Sequence, residues 1–201
     1  MITNFQYIIT YINTYLTTKL PELSILSSIF VGIEHSFPPY RILYMYKHAG
    51  FHAENCALIL MHLNRFTSVW MPITHNLIWK PRNINLAFLF IFLFANAINF
   101  QNLLVTVPIF VESGGYAVWN LAPLAEQIPF TWLMLRVAGY VYPLLSLLIN
   151  IGIFAKLFIL RFSGSSFTTG NTVEIHLLLI CVASLCMQIG LMVFVVGDFS
   201  S

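Results

Sequence analysis

His48 and His52 stand four residues apart, a spacing that puts two imidazoles on one face of a helix and that a metal site can use. Glu54 and Asn55 follow directly, adding a carboxylate and an amide within the same turn. Such a group could contact a ligand, hold an ion or carry a proton. The plainer alternative is a water-accessible or protonated carboxyl that is hydrogen-bonded inside a helical bundle. The other histidines, His35, His62, His75 and His176, are scattered, so one weak pair stands where a histidine-rich metal centre needs several. No metal and no cofactor are expected. The sequence also lacks a Gly-x-Ser-x-Gly elbow and any phosphate-cradling loop, and an enzyme is not expected.

A second group of residues lies in HLNRFTSVWMPITHNLIWKP, where Arg65 directly follows the apolar run Cys56 to Asn64. A cation at the end of a helix neutralises the partial negative charge of its last carbonyls and anchors at lipid headgroups, which is one sufficient reason for it. A coupling role is the other.

The elements that must position these groups are set by composition. The chain has 201 residues, 59% of them hydrophobic and only 8% charged, against roughly 25% charged in a soluble domain. That balance places it in a lipid bilayer. A net charge of +2, with no basic patch, excludes nucleic acid as a partner. The three cysteines, Cys56, Cys181 and Cys186, lie within apolar runs and read as small buried hydrophobes.

Crossing the hydrocarbon takes about 20 apolar residues in a helix. Five spans are expected, at about 2–20, 47–70, 84–110, 131–160 and 174–197, in a single transmembrane domain over 1–201. The fourth carries Pro143, expected to kink it, and Arg136, which snorkels to the headgroups or faces a polar interior. No cleavable signal peptide is expected. Arg65, Lys80 and Arg82 sit together between two spans, whereas the loop from Glu112 to Pro129 has two carboxylates and no basic residue. The first loop is therefore cytoplasmic; Lys156 and Arg161 agree by alternation, and Lys19, Arg41 and Lys47 oppose it.

The stretch from Asn64 to Trp79 resembles the third-helix end and second cytoplasmic loop of nematode serpentine chemoreceptors of the gamma/V-like (Srg superfamily) class. The matching positions are Asn64, Arg65, Phe66, Thr67, Pro72, His75, Ile78 and Trp79. The resemblance implies an all-α, polytopic transmembrane helical bundle with rhodopsin-like G-protein-coupled receptor architecture, its five spans equivalent to receptor helices two to six. It also implies a heterotrimeric G protein on the cytoplasmic side, an unknown extracellular small-molecule or peptide ligand, and residence in the plasma membrane, with a sensory cilium as one location. Asn64-Arg65-Phe66 stands where other receptors of the class carry Asp-Arg-Tyr, so Arg65, with Asn64, Phe66, Pro72 and Trp79, would lock the inactive state and meet the G protein. The ligand pocket would draw on His52, Glu54, Trp119 and Arg136.

Two features depart from the family pattern. Five spans stand where seven are expected, so the chain reads as a truncated receptor. The usual disulfide to the outer loop cannot form, because Glu112 to Pro129 contains no cysteine. The alternative is a polytopic transporter or membrane enzyme subunit using Glu54 and His52. That reading expects paired charges on facing helices and interrupted helices in matching halves, and neither is visible.

Overall fold

The structure is a computed structural model that describes residues 11–13, 15–31, 38–162 and 183. The expected span at 174–197, residue 183 apart, and the first half of that at 2–20 lie outside the described residues.

Prolines set most of the helix starts. Helix α1 is Ser24–Val31, α2 is Pro38–Trp70, α3 is Pro72–Ile78, α4 is Pro81–Ile98, α5 is Leu121–Gln127 and α6 is Pro129–Phe162. Four of these open on proline, whose fixed φ suits the first helical turn and whose missing N–H has no partner there in any case. The same residue explains why α2 stops. Met71 precedes Pro72 and is pushed out of the helical region, to φ −132° and ψ 56°, so the chain turns between α2 and α3.

Among the described residues, two helices are long and apolar enough to cross a membrane, Pro81–Ile98 and Pro129–Ile159. Their apolar side chains are largely uncovered by protein: Phe90 in α4 is 69% exposed and Leu148 in α6 is 57% exposed. Apolar surface of this extent suits lipid and not water. α6 continues through Pro143, while α2, at 33 residues, reaches about 50 Å at 1.5 Å per residue.

The uncharged run expected to be one helix over 84–110 is not. α4 ends at Ile98 and passes into a 3₁₀ turn, Phe100–Leu104. The reason lies in the amides. Asn96 and Asn99 donate their side-chain N–H groups back to Phe92 O (2.7 Å) and Ala95 O (2.8 Å), competing with helix continuation. The β-branched run Val105-Thr106-Val107 then leads into Pro108, which disfavours helix at the residue before it.

The acidic loop that follows folds as an antiparallel hairpin, an addition to an otherwise helical fold. Strand β1, Phe110–Ser113, pairs with β2, Tyr116–Trp119, with Ser113 opposite Tyr116. Gly114 and Gly115 close it at φ +61° and +83°, the double positive φ that a two-residue hairpin turn requires.

The chain divides into two compact units. The first comprises residues 1–54 and 90–136 and contains α1, the hairpin and α5. Its core joins Phe30, Tyr40, Phe110 and Ala117 to a second cluster of Tyr44, Val105, Leu124 and Ile128 through the shared neighbours Ile109 and Trp119. Phe30, Tyr40 and Phe110 meet edge to face, with ring centroids 5.5 to 6.0 Å apart.

The second unit comprises residues 55–89 and 137–201. It holds the C-terminal half of α2, all of α3, the first half of α4 and residues 137–162 of α6. Its core is Ile149 and Ile153 of α6 against Ile59, Phe66 and Val69 of α2.

Candidate functional site

The residues expected to form the coupling site lie together in the second unit, around the end of α2. Helical periodicity sends Phe66 and Trp70 to one face, where their rings stack with centroids 5.6 Å apart at 21°. That face meets α6 at Gly152. A Cβ placed on Gly152 would stand 3.1 Å from Phe66 Cε2, so with any other residue there the ring must give by a few tenths of an ångström. Trp70 donates its indole N–H to Gly152 O at 3.1 Å, and Lys156 Nζ lies 5.1 Å from the Trp70 ring centroid.

One turn earlier, Thr67 is the centre of a polar knot. Trp79, at the C-cap of α3, donates its indole N–H to Thr67 Oγ1 at 2.7 Å. His75 Nδ1 lies 3.0 Å from the same oxygen, as do Leu63 O and Asn64 O. The threonine hydroxyl has one proton to give to the two carbonyls, the Trp79 N–H fills one oxygen lone pair, and His75 Nδ1 donates or accepts at the same oxygen according to its tautomer. Asn83 completes the loop by donating to Ile78 O at 2.9 Å, satisfying a carbonyl left open at the end of α3. The seven-residue α3 is thereby tied back to α2. None of its residues is buried, and Ile73 and Leu77 are 90% and 59% exposed.

Arg65 is half-buried; its carbonyl accepts the Ser68 hydroxyl at 2.7 Å, and among the described residues the guanidinium forms no ion pair. Asn64, its exposed neighbour, is neutral. The stretches 55–89 and 137–162 contain Arg65, Lys80, Arg82, Lys156 and Arg161 and no Asp or Glu at all. The described part of this unit is therefore uniformly basic.

Of the expected set, the structure brings Phe66 and Trp79 to well-defined partners, Arg65 and Asn64 to the same two turns, and Pro72 to the start of α3. Sequence reasoning did not single out Thr67 as the hub, nor Trp70, Gly152 and Lys156. Thr67 was legible as a motif position; the contact of Trp70 with Gly152, 82 residues away, had no local signal.

The residues expected to form a ligand pocket fall in the first unit. Trp119 lies against Tyr44 (5.1 Å) and Phe110 (4.9 Å), with Lys47 Nζ 3.9 Å from its ring centroid. The neighbours that sequence reasoning missed here are Tyr44 and Lys47. His48 directs Nδ1 at Tyr44 O, 3.1 Å away, so it donates within its own helix. His52 is fully buried beside Phe51, Glu54 is half-buried and Arg136 is exposed.

The family model described as serpentine type 7TM GPCR chemoreceptor Srv matches residues 1–201. No curated protein and no solved structure matches the chain.

Proposed function

Because the chain belongs to the Srv family of serpentine-type seven-transmembrane G-protein-coupled chemoreceptors, we propose that it detects a small-molecule or peptide ligand and signals through the end of α2 to a heterotrimeric G protein. It is a membrane protein of a receptor family, not of an enzyme family. The observation that carries the coupling proposal is the basic, carboxylate-free end of α2. Arg65 there has no ion-pair partner among the described residues, and α3 is held beside it by the Thr67–Trp79 bond.

In this reading Arg65 and Asn64 face the cytoplasm with Lys80 and Arg82, where basic residues are favoured. Phe66 and Trp70 keep α2 seated on Gly152 in the resting state. Pro72 starts α3 and Trp79 fixes its end, so the exposed Ile73 and Leu77 supply apolar contact to the G protein. Ligand-driven release of the α2–α6 contact would change that surface, a two-state element biased from the far side. The ligand would meet Trp119, with His52, Glu54 and Arg136 contributing polar contacts. The receptor would reside in the plasma membrane, in a sensory cilium where the cell has one.

The test is agonist-driven G-protein activation by surface-expressed receptor carrying Arg65→Ala or Arg65→Gln. Loss of activation with unchanged surface level is expected. Normal activation in both variants would overturn the coupling role.

A further inference from the structure

The short helix α3, Pro72–Ile78, has one face held and one face bare. His75 and the C-cap residue Trp79 meet the Thr67 hydroxyl at 3.0 and 2.7 Å. Successive helical residues turn by about 100°, so Ile73 and Leu77, each two residues from His75, lie on the side away from it. Ile73 is 90% exposed and Leu77 59%, and Thr74 and Asn76 beside them are exposed as well. A helix this short does not hold in water unaided. The bonds to Thr67 secure only its other face.

Its place along the chain fixes what surrounds it. Trp79 and Lys80 alone separate α3 from α4, which is long and apolar enough to cross a membrane and begins at Pro81. α3 therefore lies where α4 enters the bilayer. Cations gather at the same end. Lys80 and Arg82 are exposed at the junction, Arg65 is half-buried near the end of α2, and Lys156 Nζ lies 5.1 Å from the Trp70 ring centroid. None of the four forms an ion pair among the described residues, and the stretches 55–89 and 137–162 contain no Asp or Glu.

We propose that α3 is an interfacial helix seated in the cytoplasmic leaflet, with Ile73 and Leu77 at the acyl boundary and Lys80 and Arg82 on anionic phospholipid headgroups. A soluble anion would meet the cations and leave both aliphatic side chains in water. An uncharged bilayer would cover the aliphatic face and leave the cations without counter-charge. An anionic leaflet does both, since apolar burial and attraction to charged headgroups act together on an amphipathic helix. The proposal rests on the reading of this end as cytoplasmic and not on coupling. It adds one condition to that reading: a protein partner reaches Ile73 and Leu77 only after α3 is drawn off the leaflet.

The test uses the purified full-length chain in nanodiscs of phosphatidylcholine alone and of equal parts phosphatidylcholine and phosphatidylserine, with no G protein present. Amide hydrogen exchange over residues 73–79 is the readout. Exchange there should be about fivefold slower or more in the anionic discs, while the hairpin Phe110–Trp119, which carries no Lys or Arg, is unchanged. This comparison needs no variant to fold. Lys80→Gln with Arg82→Gln should abolish the difference between the discs. Ile73→Ala with Leu77→Ala should speed exchange in the anionic discs, although alanine favours helix. Equal exchange in the two discs overturns the proposal, as does a slowing of the same size at the hairpin. A difference that survives the glutamine pair, or unchanged exchange in the alanine pair, overturns it as well. If an added G protein slows exchange at 73–79 and phosphatidylserine does not, the face belongs to the protein partner, and the lipid seat falls while coupling stands.

Discussion

The indole N–H of Trp79 reaches the hydroxyl of Thr67 at 2.7 Å, across twelve residues and a proline-initiated turn. This bond closes the segment after α2 into a loop of defined shape, with His75 on the same oxygen. Removing either partner loses about 1 kcal/mol. Thr67→Ala and Trp79→Phe should each lower the thermal stability of the purified chain by about that amount, and a double-mutant cycle should return a coupling of about 1 kcal/mol. Thr67→Ser, which keeps the oxygen, should retain most of the stability. Additive losses in the cycle would show that the two groups do not interact.

Gly152 sets a second expectation, and there two effects oppose. An added Cβ stands 3.1 Å from Phe66 Cε2, so the ring must give by a few tenths of an ångström. Overpacking of this kind costs about 1 kcal/mol, while replacing a helical glycine by alanine recovers roughly 1 kcal/mol. Gly152→Ala should therefore leave thermal stability within about 1 kcal/mol of the parent. Gly152→Leu should cost about 2–3 kcal/mol, much of it recovered by Phe66→Ala in the same chain. A leucine variant as stable as the parent would refute the close seat.

At the hairpin turn the outcome depends on the backbone alone, because nothing lies within 4 Å of a Cβ added at Gly114 or Gly115. Their φ values of +61° and +83° are open to asparagine and poorly open to β-branched residues. Gly114→Asn should express at the cell surface as well as the parent. Gly114→Val, carrying a penalty of about 1–2 kcal/mol, should be depleted there and should melt earlier in detergent.

Much of this was legible in advance, for identifiable reasons. Pro72, Pro81 and Pro129 mark helix starts directly in the sequence, and the uncharged stretches around α4 and α6 announced membrane helices. Absence of charge misled at one place: 84–110 is free of ionisable groups, yet Asn96, Asn99 and Asn102 bond their own backbone and end the helix at Ile98. The Gly114-Gly115 pair between Phe110–Ser113 and Tyr116–Trp119 was a hairpin signal that the acidic loop reading passed over. The seat of Phe66 on Gly152 could not have been read at all, since it depends on how two long helices meet in register.

Gln127 leads to a test of a different kind. Its Oε1 accepts from the backbone N–H groups of Thr106 (2.6 Å) and Val107 (3.3 Å), and its Nε2 lies 2.6 Å from Thr106 Oγ1. Gln127→Leu removes all three bonds, at a net cost of about 1–2 kcal/mol because the site is exposed. Gln127→Glu keeps the acceptor for both backbone groups and lets the Thr106 hydroxyl donate in turn, so it should remain near the parent in thermal melts at neutral pH. Equal losses in the two variants would show that the acceptor is not what matters.

The same fastening changes how this chain must be handled. Between Cys56 and Cys181 there is no cysteine, and the stretch from the 3₁₀ turn to α6 is closed by Gln101, Asn120 and Gln127 on backbone groups. Its closure therefore asks nothing of oxidative folding machinery. A reductant such as dithiothreitol has no bond to cut there.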